Sequence, residues 1–411
     1  MMPQPLTLAD AEIMDRNDPL APLRERFVLP HGVIYLDGNS LGALSKGVKA
    51  RLDEVLSVQW GEGLIRSWNQ YDWIDLPARV GERIARLIGA APGTVVVADS
   101  TSINLFKALS VALGLRPDRK VILSERGNFP TDAYIAQSVA DLFGRELRLV
   151  ESGEVMQALD NDVAVLALTE VNYRTGARHD MAALTQRAHE TGALALWDLA
   201  HSAGACPVDL TAADADLAVG CGYKYLNGGP GAPAFVYVAR RHLPGLSQPL
   251  AGWLGHAAPF EFADSYRPAP GIDAMRVGTP PILSMSALDA ALDAFEGVDI
   301  AALKAKADRL FELFTSKLAA EAPELELVTP RDPERRGSQA SFRFNDGYAV
   351  MQALIARGII GDFREPDIVR FGFAPLYLSH AETWRAADAL AEIMRVAAWD
   401  DPRYRVRAKV V

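Results

Sequence analysis

The sequence contains little of what disulfide-rich, metal-binding or membrane proteins require. Its two cysteines, Cys206 and Cys221, are too few for a disulfide framework and have no CxxC spacing. The seven histidines form no HExxH pattern, so we expect no metal site. No uninterrupted apolar run reaches the roughly 18 residues of a membrane span, and the N-terminal residues lack the regions of a signal peptide. We therefore expect a cytoplasmic protein.

Positive charge is also scarce. The 411 residues carry 42 lysines and arginines against 52 acids, a formal net charge of -10. No basic stripe is present that could displace counterions from phosphates, so we expect no nucleic-acid partner. The 49% hydrophobic content suits a large buried core.

Short apolar runs alternate with amphipathic segments in the first two thirds of the chain. This pattern is typical of an α/β fold with a mainly parallel sheet between helices. Helical spacing is present at Ser102 to Leu113, Asp132 to Phe143 and Met181 to Glu190. The predicted strands are TVVVAD, KVILSE, ELRLV, DVAVLALTEV, ALALWDL, DLAVGCGY and APAFVYV.

The pattern changes near Ser284. A long helical stretch is followed by LELVTP, by the alternating QASFRFN, and by helices at Tyr348 to Arg357 and Ser379 to Ala398. This order predicts a smaller C-terminal α+β domain. We expect a large domain at 51–284, a small domain at 285–411, and an N-terminal segment, 1–50, that packs with the small domain.

Polar side chains collect at the ends of the predicted large-domain strands, where open α/β sheets bind ligands. Each alone is typical of a helix cap or a structural group. Together they include a lysine and two acids. The set consists of Ser100, Thr101, Ser102, Asn128, Phe129, Thr131, Asp132, Thr169, Asp198, His201, Tyr223 and Lys224.

Asp198 and Lys224, 26 positions apart, indicate the chemistry of this set. Buried charges are costly unless they are paired. Pyridoxal phosphate would pair them, because a lysine forms a Schiff base with it, an acid holds its pyridine nitrogen, and hydroxyls at a helix start bind its phosphate. The GxGxxA match at Gly229 to Ala234 is a rival dinucleotide signal, but it contains prolines and leads into a strand.

Eight motifs follow one another along nearly the whole chain: YLDGNSLG, DSTSINLFK, NFPTD, DLAHSAG, GYKYLNGGPG, GW, RVGTPP and RFGFAPLYLS. In this order they resemble the motifs of the kynureninases, which have the aspartate-aminotransferase fold (fold type I of the pyridoxal-phosphate enzymes). The resemblance implies hydrolysis of L-kynurenine to anthranilate and L-alanine in tryptophan catabolism. It also implies less efficient cleavage of 3-hydroxykynurenine.

The resemblance also implies residue roles. Lys224 would bind the cofactor and shuttle the Cα proton, Asp198 would pair with the pyridinium, and Tyr223 would serve as acid or base. Arg370 would clamp the substrate carboxylate, with Trp68, Asn39 and Ser40 also binding the substrate. Trp253 and Thr279 would reach the phosphate from the partner subunit of a homodimer. The other implied cofactor contacts are Thr101, Ser102, Phe129, Asp132, Thr169, His201 and Tyr223.

Three alternatives remain open. Cysteine desulfurases and selenocysteine lyases share the fold, but desulfurase chemistry needs a cysteine after the lysine, and no cysteine follows Lys224. An aminotransferase would consume a keto acid, which hydrolysis does not. A regulatory module without activity would need a DNA-binding segment, and the first 30 or so residues are too acidic for one.

Overall fold

The computed structural model describes residues 6–408, so residues 1–5 and 409–411 lie outside the described residues. The chain divides into two compact units. The larger consists of Gly47–Asn172 and His179–Asp293. The smaller consists of the chain up to Lys46, Tyr173–Arg178, and the chain from Ala294 onward. No helix of residues 6–408 combines the length and the apolar character needed to cross a membrane.

The helices and strands follow the chain in this order. The α-helices of residues 6–408 are α1 Leu8–Arg16, α2 Lys46–Glu54, α3 Ser67–Gln70, α4 Leu76–Leu87, α5 Thr101–Leu115, α6 Pro130–Phe143, α7 Val155–Ala158, α8 Met181–Glu190, α9 Ile282–Ala291, α10 Ile300–Glu321, α11 Gly347–Ile355 and α12 His380–Arg395. The strands of the same residues are β1 Phe27–Val28, β2 Ile34–Tyr35, β3 Leu44–Ser45, β4 Val95–Val97, β5 Val121–Glu125, β6 Glu146–Val150, β7 Val163–Thr169, β8 Leu194–Asp198, β9 Leu217–Cys221, β10 Ala234–Val238, β11 Glu326–Leu327, β12 Gln339–Arg343, β13 Ile359–Ile360, β14 Asp362–Arg364 and β15 Ile368–Gly372.

The larger unit is built on a seven-stranded sheet, counted among residues 6–408, in the order β4-β10-β9-β8-β7-β5-β6. The strands from β9 to β6 pair in parallel. β10 runs antiparallel to both of its neighbours. These strands are the seven predicted apolar runs, so the predicted mainly parallel sheet is confirmed. β7, β8 and β9 are buried along their whole length, as strands covered on both faces are.

Capping residues determine where the helices on this sheet begin and end. Ser100 caps α5 by accepting a hydrogen bond from the Ile103 N–H. α6 begins with Pro130 and ends at Gly144, whose φ of 62° is the left-handed conformation of a helix end. Apolar side chains of α5 and α6 pack in one core with the sheet. Both helices therefore begin at the edge where the parallel strands end.

The smaller unit contains a four-stranded antiparallel sheet, β11-β12-β15-β14, within residues 6–408. The N-terminal strand β2 pairs in parallel with β13. The long helical stretch predicted from Ser284 onward is in fact two helices, α9 and α10, separated at Gly297 with φ 72°. Asp299 then caps α10. The break follows from a glycine that favours a helix end.

The two units differ in their bounds from the predicted linear domains. α9 belongs to the larger unit, although the predicted border was at 284. Tyr173–Arg178 joins the smaller unit from inside the predicted large domain. Hydrogen bonds connect this segment to the rest of the smaller unit; for example, the Arg178 N–H donates to the Arg335 carbonyl at 2.9 Å. The ends of the predicted 1–50 and 285–411 segments, residues 1–5 and 409–411, lie outside the described residues.

Candidate active site

The carboxyl ends of the parallel strands bring the predicted polar set of the larger unit together. Thr169, the last residue of β7, pairs in register with Asp198, the last residue of β8. Lys224 follows the end of β9, the next strand of the sheet. Thr101 and Asp132 lie in the first turns of α5 and α6. The sheet order therefore converts distant sequence positions into one cluster.

Lys224 lies against a histidine. Its Nζ is 3.0 Å from Nε2 of His201, which is buried in the loop after β8. The same Nζ lies 5.8 Å from the ring centroid of Phe129 and 5.8 Å from that of Tyr223. His201 thus contacts the lysine amine, whereas the resemblance implied a contact with the cofactor.

Asp198 and Asp132 form a buried acid pair. Burial raises the pKa of Asp198, and the charge of Lys224 opposes this shift. Burial also raises the pKa of Asp132 well above its ordinary value, and the charge of Asp198 adds to the effect. A hydrogen bond between the two carboxyl groups raises the pKa of Asp132 and lowers that of Asp198. These directions favour a proton on Asp132 and a negative charge on Asp198, whose Oδ1 also accepts a 2.8 Å bond from the Ala200 N–H.

Thr169 connects the acid pair of Asp132 and Asp198 to the residues that follow β5. Its Oγ1 lies 3.1 Å from Oδ2 of Asp132 and 2.5 Å from Oδ1 of Asn128. The same Asn128 oxygen accepts a 2.7 Å bond from the Phe129 N–H. Phe129 is held at the start of α6 with more than a third of its surface exposed. Its ring is therefore available to stack on a flat ligand.

The start of α5 carries donors of the kind that bind anions. The first N–H groups of a helix have no partner within the helix, and the helix dipole is positive there. Thr101 and Ser102 are both partly exposed in this first turn. They would add hydroxyl donors to the backbone donors, which is the arrangement that phosphate groups require.

Trp253 and Thr279 lie in exposed segments of the larger unit. Trp253 is 43% exposed and stacks on Phe262 at a centroid distance of 6.2 Å, with Phe260 edge-on at 5.6 Å. Thr279 is exposed in the segment before α9. Trp68, on α3, packs edge-on against the buried Trp73 at 5.7 Å.

In the smaller unit, Arg370 lies on β15 and is 1% exposed. Its Nε donates to Oδ1 of Asp362 at 2.8 Å, and its Nη2 bonds to Oδ2 of the same carboxylate. Nη2 also lies 2.8 Å from Oγ of Ser40, and Nη1 bonds to the Tyr173 carbonyl. Asp362 therefore holds the Nε–Nη2 edge of the guanidinium, the group that the resemblance implied would clamp a substrate carboxylate. A substrate carboxylate would meet the remaining Nη1 donor.

Two further polar residues of the smaller unit, Asn39 and Asp37, lie near the strand that carries Arg370. Asn39 packs against Gly372, at the end of β15, and is 1% exposed. Neither polar atom of its amide has a hydrogen-bond partner among residues 6–408. Burial and the charge of Asp362 raise the pKa of Asp37 to about 7, while the charge of Arg370 opposes the shift.

The acids around Arg370 were not predicted from the sequence. Asp362 and Asp37 were not among the predicted site residues, although Asp362 holds Arg370 and Asp37 interacts with both. Asn128 was noted at a strand end without a role, and it proves to position Thr169 and Phe129. The position of Asp362 opposite Arg370 in the β14–β15 register is the signal that could have found it, once the two strands had been paired.

Two solved structures resemble this chain over most of its length. A cysteine desulfurase from Thermococcus onnurineus NA1 has a TM-score of 0.78 at 20% identity, and the match covers 91% of this chain and 98% of that one. A variant of the lyase C-DES, with glycine covalently linked to its pyridoxal-phosphate cofactor, has a TM-score of 0.76 at 17% identity, over 89% and 98% of the two chains. The fold is that of the fold type I pyridoxal-phosphate enzymes, as predicted.

Sequence comparison shows which family within this fold class the chain belongs to. The model of the kynureninase C-terminal domain matches residues 303–390. A kynureninase of Burkholderia pseudomallei (strain K96243) is 53% identical over 413 residues, which cover 98% of this chain and 99% of that protein. The chain belongs to the kynureninase family, and the predicted family is confirmed.

Proposed function

We propose that this chain hydrolyses L-kynurenine to anthranilate and L-alanine with pyridoxal phosphate as its cofactor. One observation carries the proposal: a chain of the kynureninase family places a lysine beside a buried acid pair at the ends of neighbouring parallel strands. Cleavage of 3-hydroxykynurenine to 3-hydroxyanthranilate is the slower second reaction. Aminotransferase and desulfurase activities of the same fold are not favoured by the family match.

The residues present fit pyridoxal phosphate. The Asp198 carboxylate is buried, and a protonated pyridine nitrogen would offset its charge. The start of α5 would hold the phosphate, with Thr101, Ser102 and Tyr223 as hydroxyl donors. Phe129 would stack on the ring. When bound, the cofactor supplies an electron sink for the bonds around the substrate Cα.

Residues of the chain would bind the cofactor, move the Cα proton and hold the reacting groups in position. Lys224 would bind the cofactor aldehyde through Nζ and afterwards remove and return the proton at Cα. His201, 3.0 Å from that Nζ, would hold the amine in position. Asp132, Thr169 and Asn128 would fix the carboxylate of Asp198 and the edge of the ring.

Tyr223 would serve the hydrolytic step. Water adds to the γ-carbonyl carbon, the Cβ–Cγ bond breaks, and Cβ and Cα each take up a proton, so that one water yields anthranilate and L-alanine. A phenol can hold or release a proton at the γ-oxygen and at Cβ. Binding of the phosphate by the same hydroxyl is compatible with this role.

Recognition of the substrate carboxylate is assigned to the smaller unit. Arg370 would donate through Nη1, its orientation held by Asp362 and Ser40. The Asn39 amide would supply a second donor, because burial leaves it without a partner in the described residues. Trp68 would line the pocket for the aromatic ring.

The proposed assembly is a homodimer with shared sites. The aromatic cluster of Trp253, Phe260 and Phe262 is largely exposed, with Phe262 at 75%. Exposed aromatic residues of this kind are typical of protein interfaces. Trp253 and Thr279 would then reach the cofactor phosphate of the partner subunit.

We further propose that the protein acts in the cytoplasm, in the kynurenine pathway of tryptophan catabolism. Its products would be anthranilate, and 3-hydroxyanthranilate for NAD biosynthesis. The small-molecule substrate and the family support this role.

The test is a direct assay. Purified protein reconstituted with pyridoxal phosphate should release fluorescent anthranilate from L-kynurenine, with an equal amount of alanine and no added keto acid. Anthranilate formation that requires a keto acid, or sulfide release from cysteine at a higher rate, would contradict the proposal.

A further inference from the structure

Lys107, at the end of the DSTSINLFK motif, has no part in the chemistry described above. It lies on α5, and its side chain is completely buried. Its Nζ donates to Oδ2 of Asp99 at 2.7 Å and to the carbonyl oxygen of Met275 at 2.6 Å. Burial lowers the pKa of Lys107, and the charge of Asp99 opposes that shift. A buried ammonium is costly unless it is paired, so these two contacts stabilise it where it lies.

The first contact fixes the entry to the phosphate site. Asp99 links the end of β4 to Ser100, the cap of α5, and adopts φ 50°. This left-handed conformation is unfavourable for a residue other than glycine. The ion pair with Lys107, together with the 2.9 Å bond from the Ala234 N–H to the Asp99 carbonyl, holds it. The backbone that carries Thr101 and Ser102 therefore starts from a residue held by Lys107.

The second contact fixes the segment that carries Thr279. Met275 immediately precedes the RVGTPP motif, and two residues later the Val277 carbonyl accepts a 3.1 Å bond from the Leu254 N–H, next to Trp253. The packing is tight, since a Cβ on Gly252 would lie 2.3 Å from that same carbonyl oxygen. Lys107 thus holds, through Met275, the backbone from which Trp253 and Thr279 project.

We propose that Lys107 is a positioning residue that couples the phosphate loop of its own subunit to the segment serving the partner's cofactor, an inference that rests on the proposed function. One ammonium bonds to the side-chain carboxylate of Asp99 and to the backbone carbonyl of Met275, so displacement of either segment disturbs the other. The two cofactor sites of a dimer are then joined through the Lys107 of each subunit.

The first test is cofactor affinity. Pyridoxal phosphate is titrated into apo dimers and followed by absorbance, with the thermal midpoint measured in parallel. In Lys107→Met we expect the dissociation constant to rise about tenfold or more, because Asp99 loses the ion pair that holds it and the Met275 carbonyl loses its donor. In Asp99→Asn, which keeps the Met275 contact, the rise should be smaller. This second variant also serves if Lys107→Met does not fold.

The chain offers a matched control in its smaller unit. Lys306 is also buried and bonds to an acid, Asp18, at 2.7 Å, and to a carbonyl oxygen, that of Pro375, at 2.9 Å. Lys306→Met should lower the thermal midpoint without changing the cofactor dissociation constant. An equal rise in both lysine variants would show a general loss of stability and would overturn the proposal.

The second test isolates the effect on the partner. A mixed dimer pairs a wild-type subunit with a Lys224→Ala subunit, so that one covalent cofactor site remains. Adding Lys107→Met to the Lys224→Ala subunit alters that site only from across the dimer. We expect weaker cofactor binding at the wild-type subunit. Unchanged binding there overturns the coupling, whereas a wild-type homodimer that binds no cofactor would contradict the proposed function instead.

Discussion

Nζ of Lys224 lies 3.0 Å from Nε2 of His201, at the edge of the sheet where β8 and β9 end. The other lysines of the larger unit lie in different surroundings: Lys49 and Lys120 are exposed, and Lys107 is bonded to Asp99. Lys224→Ala should therefore abolish turnover and remove the yellow colour of the holoenzyme. Borohydride reduction and peptide mapping check the assignment, and a pyridoxyl label on another lysine would show it to be wrong.

The acid pair predicts unequal effects of two similar substitutions. Asp198→Asn removes the anion that pairs with the pyridinium and should lower kcat/KM by on the order of 3 kcal/mol, about 100-fold or more. Asp132→Asn should cost much less, because burial raises the pKa of Asp132 and so favours its neutral form, which asparagine resembles. Steady-state kinetics on both variants, with circular dichroism as a folding control, decide this. Equal losses would contradict the division of roles.

The shared site predicts complementation. Lys224→Ala and Thr279→Ala homodimers should both be inactive or nearly so. Mixed dimers should regain part of the activity, because one of their two sites combines an intact Lys224 with an intact Thr279. Activity is measured after subunit exchange, which differently tagged subunits verify. Exchange without recovery would count against sites formed by two subunits.

Substrate choice should favour L-kynurenine over 3-hydroxykynurenine. In the proposed pocket, Trp68 offers bulk and a single indole N–H donor, and Thr279 offers only a short side chain, to the extra ring hydroxyl. An unpaired ring hydroxyl would cost roughly 1 to 3 kcal/mol, so kcat/KM should differ about tenfold or more. Both substrates compete in one tube. Trp68→His should shift the ratio toward the hydroxylated substrate and Trp68→Phe should not, whereas an unchanged ratio in both would leave Trp68 a packing residue against Trp73.

Asp37 predicts a pH dependence of stability. Burial and the charge of Asp362 raise the pKa of Asp37 from 3.8 to about 7 in the folded state. Between these values the folded state holds a proton that the unfolded state has lost, so the free energy of unfolding falls as pH rises, by at most about 1.4 kcal/mol per pH unit. Denaturant titrations of wild type and Asp37→Asn from pH 4 to 8 test this. The variant should lose this component, and parallel pH profiles would contradict it.

Much of the fold followed from periodicity. The seven strands of the large sheet were predicted because buried strands are continuous apolar runs, and α8 was predicted at its observed bounds, Met181–Glu190. The strand-end position of Asp198 and Lys224 followed from the same runs. The split between α9 and α10 was missed because both helices continue one apolar pattern, although Gly297 marked the break.

The sequence by itself therefore determined the sheet, the residues at its edge and the family, because each depends on local pattern or on motifs in order. Only the tertiary structure decided which groups those residues meet. It placed Asp362 against the guanidinium of Arg370, joined Tyr173–Arg178 to the smaller unit, and put Lys107 between Asp99 and Met275. Lys107 and Met275, for example, are 168 positions apart in the sequence. A local sequence pattern can indicate that a charged residue is buried, but tertiary packing determines which group pairs with it and stabilises it.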